Sequence, residues 1–288
     1  MKRIVSIQDI SCMGKCSLTV ALPIISAMGV ETAVLPTAVL STHTAIPGFT
    51  FHDLTQEIRP ISEHWKRENF TFDAIYSGYL GSFEQLNLVS EFLDAFPATT
   101  NPADGSVSTP CVFIDPVMGD YGKLYSGFTP DFAREMGKLC ARADVIVPNM
   151  TEASYLLGVD YAEEGAYDES YVRGLLRSLC ELGPKNAVLT GTSFQPEKVG
   201  FMGFNAETET FFSYMTERIP HAFHGTGDIF ASTAVGALMN GFDLQESLAV
   251  AADYTLECIR ESLKDPFSRN YGVNFESAIP YLVRRIGK

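Results

Sequence analysis

The six cysteines (Cys12, Cys16, Cys111, Cys140, Cys180 and Cys258) form no CxxC pair, and most sit inside apolar runs. Reduced, buried thiols in a cytoplasmic protein are the simplest reading of that pattern. Basic residues are also scarce: 21 Lys and Arg stand against 35 Asp and Glu, a net charge of −14. Such an excess repels a phosphate backbone, which excludes a general nucleic-acid or anionic-membrane binder but not one local anion pocket. The longest stretch without a formal charge, Thr32 to His52, carries Pro36, Pro47 and many Ser and Thr residues, unlike a bilayer helix. Asp9 interrupts the first apolar run too early for a signal peptide.

Several chemistries are missing by inspection. No G-x-x-x-x-G-K-[ST] loop, no G-x-S-x-G elbow and no H-E-x-x-H helix occurs. No G-x-G-x-x-G follows the first apolar run, which argues against a dinucleotide-dependent oxidoreductase. The five histidines (His43, His52, His64, His221 and His224) lack metal-ligand spacing.

What the chain does have is 288 residues, 46% of them hydrophobic. At about 150 residues per domain two domains are conceivable, yet α/β units often reach this size as one. With no linker and no internal repeat, a single domain over 1–288 is expected. Short apolar, β-branched runs recur at Arg3–Ile7, Thr32–Leu40, Ala74–Ser77, Cys111–Ile114, Val145–Val147 and Ala187–Thr190. Helical spacing fills the gaps, as in Leu86, Val89, Phe92 and Leu93, or Phe132, Met136 and Leu139. Alternation of that kind predicts an α/β fold with a mostly parallel sheet covered on both faces, a three-layer αβα arrangement. Lys198 to Ile219 reads instead as an antiparallel hairpin at the sheet's edge.

The last third is helical. Gly227 to Asn240 is small and apolar, and Gly241 stops it. Asp243, three before Glu246, starts another helix with Leu244, Leu248, Ala251, Ala252, Leu256, Ile259 and Leu263 as its apolar face. Pro97–Pro110 reads as a surface loop and Tyr161–Tyr171 as an acidic, solvated connection.

The segment His224-Gly225-Thr226-Gly227-Asp228 stands directly ahead of the long apolar helix. Two glycines let the chain turn tightly, so several N–H groups can converge on an anion at a helix N-terminus. A carboxylate beside such a site repels phosphate unless it does something useful, such as taking a proton from an incoming hydroxyl. The plainer alternative is a tight turn with an Asp cap. Asp115-Pro116-Val117-Met118-Gly119-Asp120 ends one predicted strand, and Pro148-Asn149-Met150-Thr151-Glu152 ends the next. Asp115, Asn149 and Glu152 are oxygen donors suited to hydrated magnesium beside a nucleotide. The alternative for Asn149 to Glu152 is a capped helix start. Thr190-Gly191-Thr192 ends a further strand, and in an open parallel sheet strand ends share the ligand-binding edge.

Together these residues resemble the ribokinase-like superfamily: Gly225-Thr226-Gly227-Asp228, the DPVMGD at Asp115–Asp120 and the PNxxE at Pro148–Glu152. Ser6-Ile7-Gln8, Ser41-Thr42-His43-Thr44 and Ser77-Gly78-Tyr79-Leu80-Gly81 narrow the resemblance to the pyridoxal kinase branch. The similarity runs from Ile4 to about Leu263. It implies ATP-dependent phosphorylation of a hydroxymethyl group on the ring of a vitamin B6 form, with hydroxymethylpyrimidine as the alternative acceptor. Asp228 would be the general base, and Gly225, Thr226 and Gly227 would offer N–H groups to the transferring phosphoryl group. Asp115 and Glu152 would hold Mg²⁺, with Asn149, Thr190 and Gly191 at the nucleotide. Ser6, Thr44 and Tyr79 would surround the pyridine ring. Relatives also commonly use a monovalent cation, usually K⁺, and are often homodimers. A larger β lid, as in sugar kinases, has little spare sequence between Thr37 and Phe70.

The chain departs from the family pattern at Asp9, where a small hydroxyl residue is usual. An acidic group near the ring favours an amino-bearing acceptor over a neutral hydroxyl. Cys12 and Cys16 lie in the same stretch; a thiol there can attack an aldehyde, whereas a buried one acts as a small hydrophobe. A non-catalytic ligand-binding protein on the same fold is the reading from another class, and Asp228 with Asp115, Asn149 and Glu152 opposes it.

Overall fold

The run from Arg3 to Ser11 is buried along nearly its whole length, the mark of a strand covered on both faces. In the computed structural model, which describes residues 1–44, 46–100, 107–221, 223–266 and 272–288, it forms the first strand, β1. The chain divides into two compact units, Met1–Cys111 with His221–Lys288, and Val112–Pro220.

In the first unit β1 pairs in parallel with β2 (Glu31–Leu40) and with β4 (Ala74–Ser77). A short strand, β3 (Phe51–Asp53), runs antiparallel to β2, so the order is β4-β1-β2-β3. Between Gln8 and Ile10 the β1–β2 register shifts, and Asp9 sits at that irregularity. Helices α1 (Leu18–Ala27), α2 (Thr55–Arg67) and α3 (Phe83–Ala95) connect the strands. Trp65 of α2 and Phe92 of α3 join Phe72 and Phe96 in an aromatic cluster whose ring centroids lie 4.5–6.3 Å apart.

The second unit contains β5 (Cys111–Ile114, from Val112 onward), α4 (Pro130–Cys140), β6 (Val145–Ile146), α5 (Met150–Leu157) and α6 (Glu169–Glu181). Strands β7 (Asn186–Thr192), β8 (Lys198–Asn205) and β9 (Thr210–Glu217) complete it. β5, β6 and β7 are parallel, and β7-β8-β9 continue antiparallel, the expected hairpin at the edge.

The chain then returns to the first unit as α7 (Thr226–Met239), α8 (Leu244–Lys264) and α9 (Phe275–Arg285). These pack with α1 around Val20, Ile24, Met28, Ile229, Val250, Tyr254 and Leu282. Each such buried apolar side chain contributes about 1.5–3 kcal/mol through its removal from water. Small residues on α7 permit the close approach: a Cβ on Gly236 would stand 2.6 Å from Met28 Sδ. Tyr254 spends its buried hydroxyl on the Phe275 carbonyl, 2.8 Å away.

Some expectations need correction. Leu263 is half exposed and does not belong to the apolar face of α8, whose buried set widens to Ser247–Ala252, Tyr254, Cys258 and Ser262 because helices cover it on more than one side. The connection read over Tyr161–Tyr171 ends early: Asp168 accepts a hydrogen bond from Tyr171 N and starts α6. The loop at Pro97–Pro110 contains a short antiparallel pair, Thr99–Thr100 with Val107–Ser108; residues 101–106 lie outside the described ones. Among the described residues no helix is long and apolar enough to cross a membrane.

Candidate active site

In the first unit the glycine segment opens α7 as expected. Gly225 is the N-cap residue at φ +79°, and a Cβ on it would overlap the Lys15 carbonyl oxygen. Only glycine meets both demands. The facing loop, Cys12 to Ser17, is held in place from several sides. Cys12 N donates to Leu40 O, His43 N donates to Met13 O, and Lys15 Nζ reaches Asn274 Oδ1 and Glu276 Oε2 at 2.8 Å each.

Asp228, in the first turn of α7, accepts a hydrogen bond from the backbone N–H of Ser17. Burial pushes its carboxyl up to about 7; the Ser17 N–H opposes the rise and the nearby Asp9 charge adds to it. Asp9 is itself buried, which raises its carboxyl, while the hydroxyls of Ser17 (2.6 Å) and Ser11 (3.2 Å) donate to it and lower it. Two carboxylates therefore meet on one residue, Ser17, which takes φ +50° at the start of α1. Cys16 is buried, and burial with the charges of Asp228 and Asp9 pushes its thiol up to about 12. It stays protonated at neutral pH, as a small hydrophobe does. Cys12 is exposed.

The acceptor-side candidates fall into two groups. Tyr79, half-buried just past β4, has its phenol raised by burial and then by Asp9, so it lies near that carboxylate. Ser6 is fully buried within β1, where its Oγ accepts from Gln8 Nε2 at 3.1 Å. Thr44 is exposed in the turn after β2. Nearby, His43 and His224 approach with ring centroids 5.1 Å apart, and burial followed by His224 holds His43 below the usual imidazole range.

The second unit gathers the other cluster. Asn149 caps α5: its Oδ1 accepts from Glu152 N at 2.9 Å, and Glu152 Oε2 accepts from Asn149 N at 2.8 Å. Glu152 Oε1 takes Met118 N at 3.0 Å, and Asn149 Nδ2 donates to Gly119 O at 2.9 Å. The capped helix start is thus real, and it ties the end of β5 to the end of β6. Burial pushes the Glu152 carboxyl up to about 8, opposed by the N–H groups of Asn149 and Met118 and aided by Asp120. Asp115 is buried, and with Glu152 it helps burial raise the Cys140 thiol, so the two carboxylates share a neighbourhood. Thr190 bridges to Asn149 at the end of β7, and Gly191 follows at φ +67°.

Among the described residues no group of three or more His, Cys, Asp or Glu side chains forms a metal cage. Magnesium does not need one, since it keeps several waters and takes one or two carboxylates beside substrate phosphates. Asp115 and Glu152 fit that mode. The Glu152 carboxylate accepts the backbone N–H groups of Asn149, Met118 and Gly119, which leaves one of its about four lone-pair sites for a metal-bound water.

Sequence reasoning missed Ser11 and Ser17, the two hydroxyls that hold Asp9. The only signal was the serine spacing around an unusual Asp.

The model of the family described as phosphomethylpyrimidine kinase matches residues 22–267. The chain belongs to that family. Within the ribokinase-like superfamily it falls in the pyridoxal kinase branch, and it is a phosphotransferase acting on an alcohol group. A Bacteroides thetaiotaomicron protein, provisionally named a phosphomethylpyrimidine kinase and crystallised with pyridoxal, is 37% identical. Its TM-score is 0.88, over 98% of this chain and 95% of that one. The Lactobacillus plantarum pyridoxal kinase is 29% identical with a TM-score of 0.87, over 99% and 97% of the two chains. The pyridoxal kinase PdxY of Rubrobacter xylanophilus is 26% identical over 275 residues, 91% of this chain and 88% of its own.

Proposed function

We propose that this family member transfers the γ-phosphoryl group of ATP to the hydroxymethyl group of a vitamin B6 form, giving the 5′-phosphate and ADP. Pyridoxal, pyridoxine and pyridoxamine are the acceptors. The observation that carries the reading is the Asp228 carboxyl, set in the first turn of α7 beside Gly225 and raised to about 7. A base poised near neutrality is suited to taking a proton from an alcohol at cellular pH.

In this reading the acceptor hydroxyl gives its proton to Asp228 as its oxygen attacks the γ-phosphorus. The bond from that phosphorus to the β,γ-bridging oxygen breaks, and ADP leaves. The N–H groups at Gly225, Thr226 and Gly227 face the negative charge of the moving phosphoryl group at the positive end of α7. Asn149, Thr190 and Gly191 contact the nucleotide. Asp115 and Glu152 would hold Mg²⁺ through water, and that ion would supply charge neutralisation at the phosphate oxygens. Ser6, Thr44 and Tyr79 position the ring. On this proposal 1–288 is a single kinase domain. The family resemblance extends the proposal to a cytoplasmic homodimer that uses K⁺.

A second reading takes hydroxymethylpyrimidine as the acceptor. Asp9 favours it, because a buried carboxylate suits a ring amine.

The test is product analysis. Purified protein with Mg²⁺, ATP and pyridoxine should yield pyridoxine 5′-phosphate and ADP in equal amounts. ATP hydrolysis without phosphate transfer to any of the three vitamers would refute the proposal.

A further inference from the structure

We propose that Asp9 is a positioning residue for Asp228, acting through Ser17 to hold the base in place and to strengthen it. The inference rests on the reading of Asp228 as the base.

Ser17 is the pivot. A serine at the start of a helix ordinarily turns its oxygen to a backbone N–H of the first turn. Here no such cap bond forms, although Ser17 occupies the N-cap position of α1. Its hydroxyl instead donates to Asp9 Oδ1 at 2.6 Å, while its own N–H donates to the Asp228 carboxylate. Ser17 also sits at φ +50°, a conformation unfavourable for a residue with a Cβ. The bond to Asp9 is what holds it there. Ser11 fixes the other Asp9 oxygen at 3.2 Å, and Asp9 sits at the β1–β2 register shift, between the pairs Gln8–Pro36 and Ile10–Val39. The chain of contacts therefore runs from a strand, through a strained serine, to the base on α7.

Charge is the second effect. Burial raises the Asp9 carboxyl, and the negative charge it carries when ionised makes proton uptake by the neighbouring Asp228 more favourable. The other titratable groups around the pair do not compete. The Cys16 thiol is held protonated, the Tyr79 phenol is raised, and the His43 imidazole is lowered towards its neutral form, facing His224. Lys15 turns its ammonium to Glu276 and Asn274.

The experiment measures kcat and kcat/KM for pyridoxine from about pH 5 to about pH 9 in the parent, Asp9→Asn, Asp9→Ser and Asp228→Asn proteins. Both Asp9 variants keep a hydrogen-bonding group and lose the charge; the serine variant serves if the asparagine variant does not fold. The acidic limb of kcat/KM should move down by about half to one pH unit. Plateau kcat should fall about three- to ten-fold, as for a weaker, less well placed base. Substrate ionisations are common to all four proteins, so they do not move the limb. An unmoved limb with parental kcat would overturn the proposal. So would a loss seen only as a higher KM for pyridoxamine, which would make Asp9 a reader of the amine. If Asp228→Asn keeps parental turnover, the base assignment itself fails, and that outcome is distinct from the others.

Discussion

Gly225→Ala tests whether the glycine segment is built around its contact with the 12–17 loop. At φ +79° an alanine is strained by about 1–2 kcal/mol. Its Cβ would also overlap the Lys15 carbonyl oxygen, a backbone atom that cannot rotate away. One loop must retreat by about 1.5 Å to reach ordinary contact. Overpacking of this kind adds about 1–3 kcal/mol, and a shift of about 1 Å near reacting atoms costs about a hundred-fold in rate. With about 2–4 °C of Tm lost per kcal/mol in a chain of this size, Tm should drop by roughly 4–20 °C. Gly227→Ala is the comparison, because nothing lies within 4 Å of a Cβ there and the residue is already helical. It should keep parental Tm and still lose turnover, since the added methyl enters the space assigned to the phosphoryl group. Thermal scanning and a coupled ADP-release assay read both quantities. Parental Tm and turnover in Gly225→Ala would refute the reasoning.

Three further outcomes are expected. Asp228→Asn should lose about a hundred- to ten-thousand-fold in kcat yet gain stability at alkaline pH. The folded carboxyl titrates near 7, above its unfolded value, so the ionised group costs stability; that cost is absent below about pH 4, grows towards pH 7 and is complete above it. After allowance for partial exposure the gain is about 1–2 kcal/mol at pH 8.5, fading by about pH 4, and parallel Tm curves would contradict it. Asn149→Ala removes the cap of α5 and the bond to Gly119 O, so urea unfolding should show about 1–3 kcal/mol lost and the KM for ATP should rise; an unchanged midpoint would count against the cap. Tyr254→Phe strands the Phe275 carbonyl and should cost about 1–3 kcal/mol with kcat/KM unaltered, which chemical denaturation and steady-state kinetics check.

Much of the fold was legible because buried parallel strands are written as short apolar runs. Ala74–Ser77 and Cys111–Ile114 have the expected bounds. β1 runs on to Ser11, past the expected Ile7, because Gln8 donates to Ser6 while Asp9 accepts from Ser11 and Ser17, so these polar side chains can be buried. β3 has three exposed residues and no periodic signal, so it was missed, as was α9, which carries Pro280 in its interior. The glycine segment was readable as a tight turn opening a helix, with an anion site or a plain Asp cap as the two alternatives. The Asp9–Ser17–Asp228 chain was not, since its links join a strand, a loop and a helix far apart in sequence. The PNxxE stretch supported two readings, and the capping box satisfies the structural one while leaving one Glu152 lone-pair site for the other.

The acceptor decides the function. The deciding measurement is kcat/KM for Mg²⁺- and ATP-dependent phosphorylation of pyridoxal, pyridoxine, pyridoxamine, hydroxymethylpyrimidine and ribose by one preparation. At least one B6 vitamer should lead, exceeding ribose by about a hundred-fold or more. Comparable values for ribose and the vitamers, or hydroxymethylpyrimidine far ahead of all three, would contradict it.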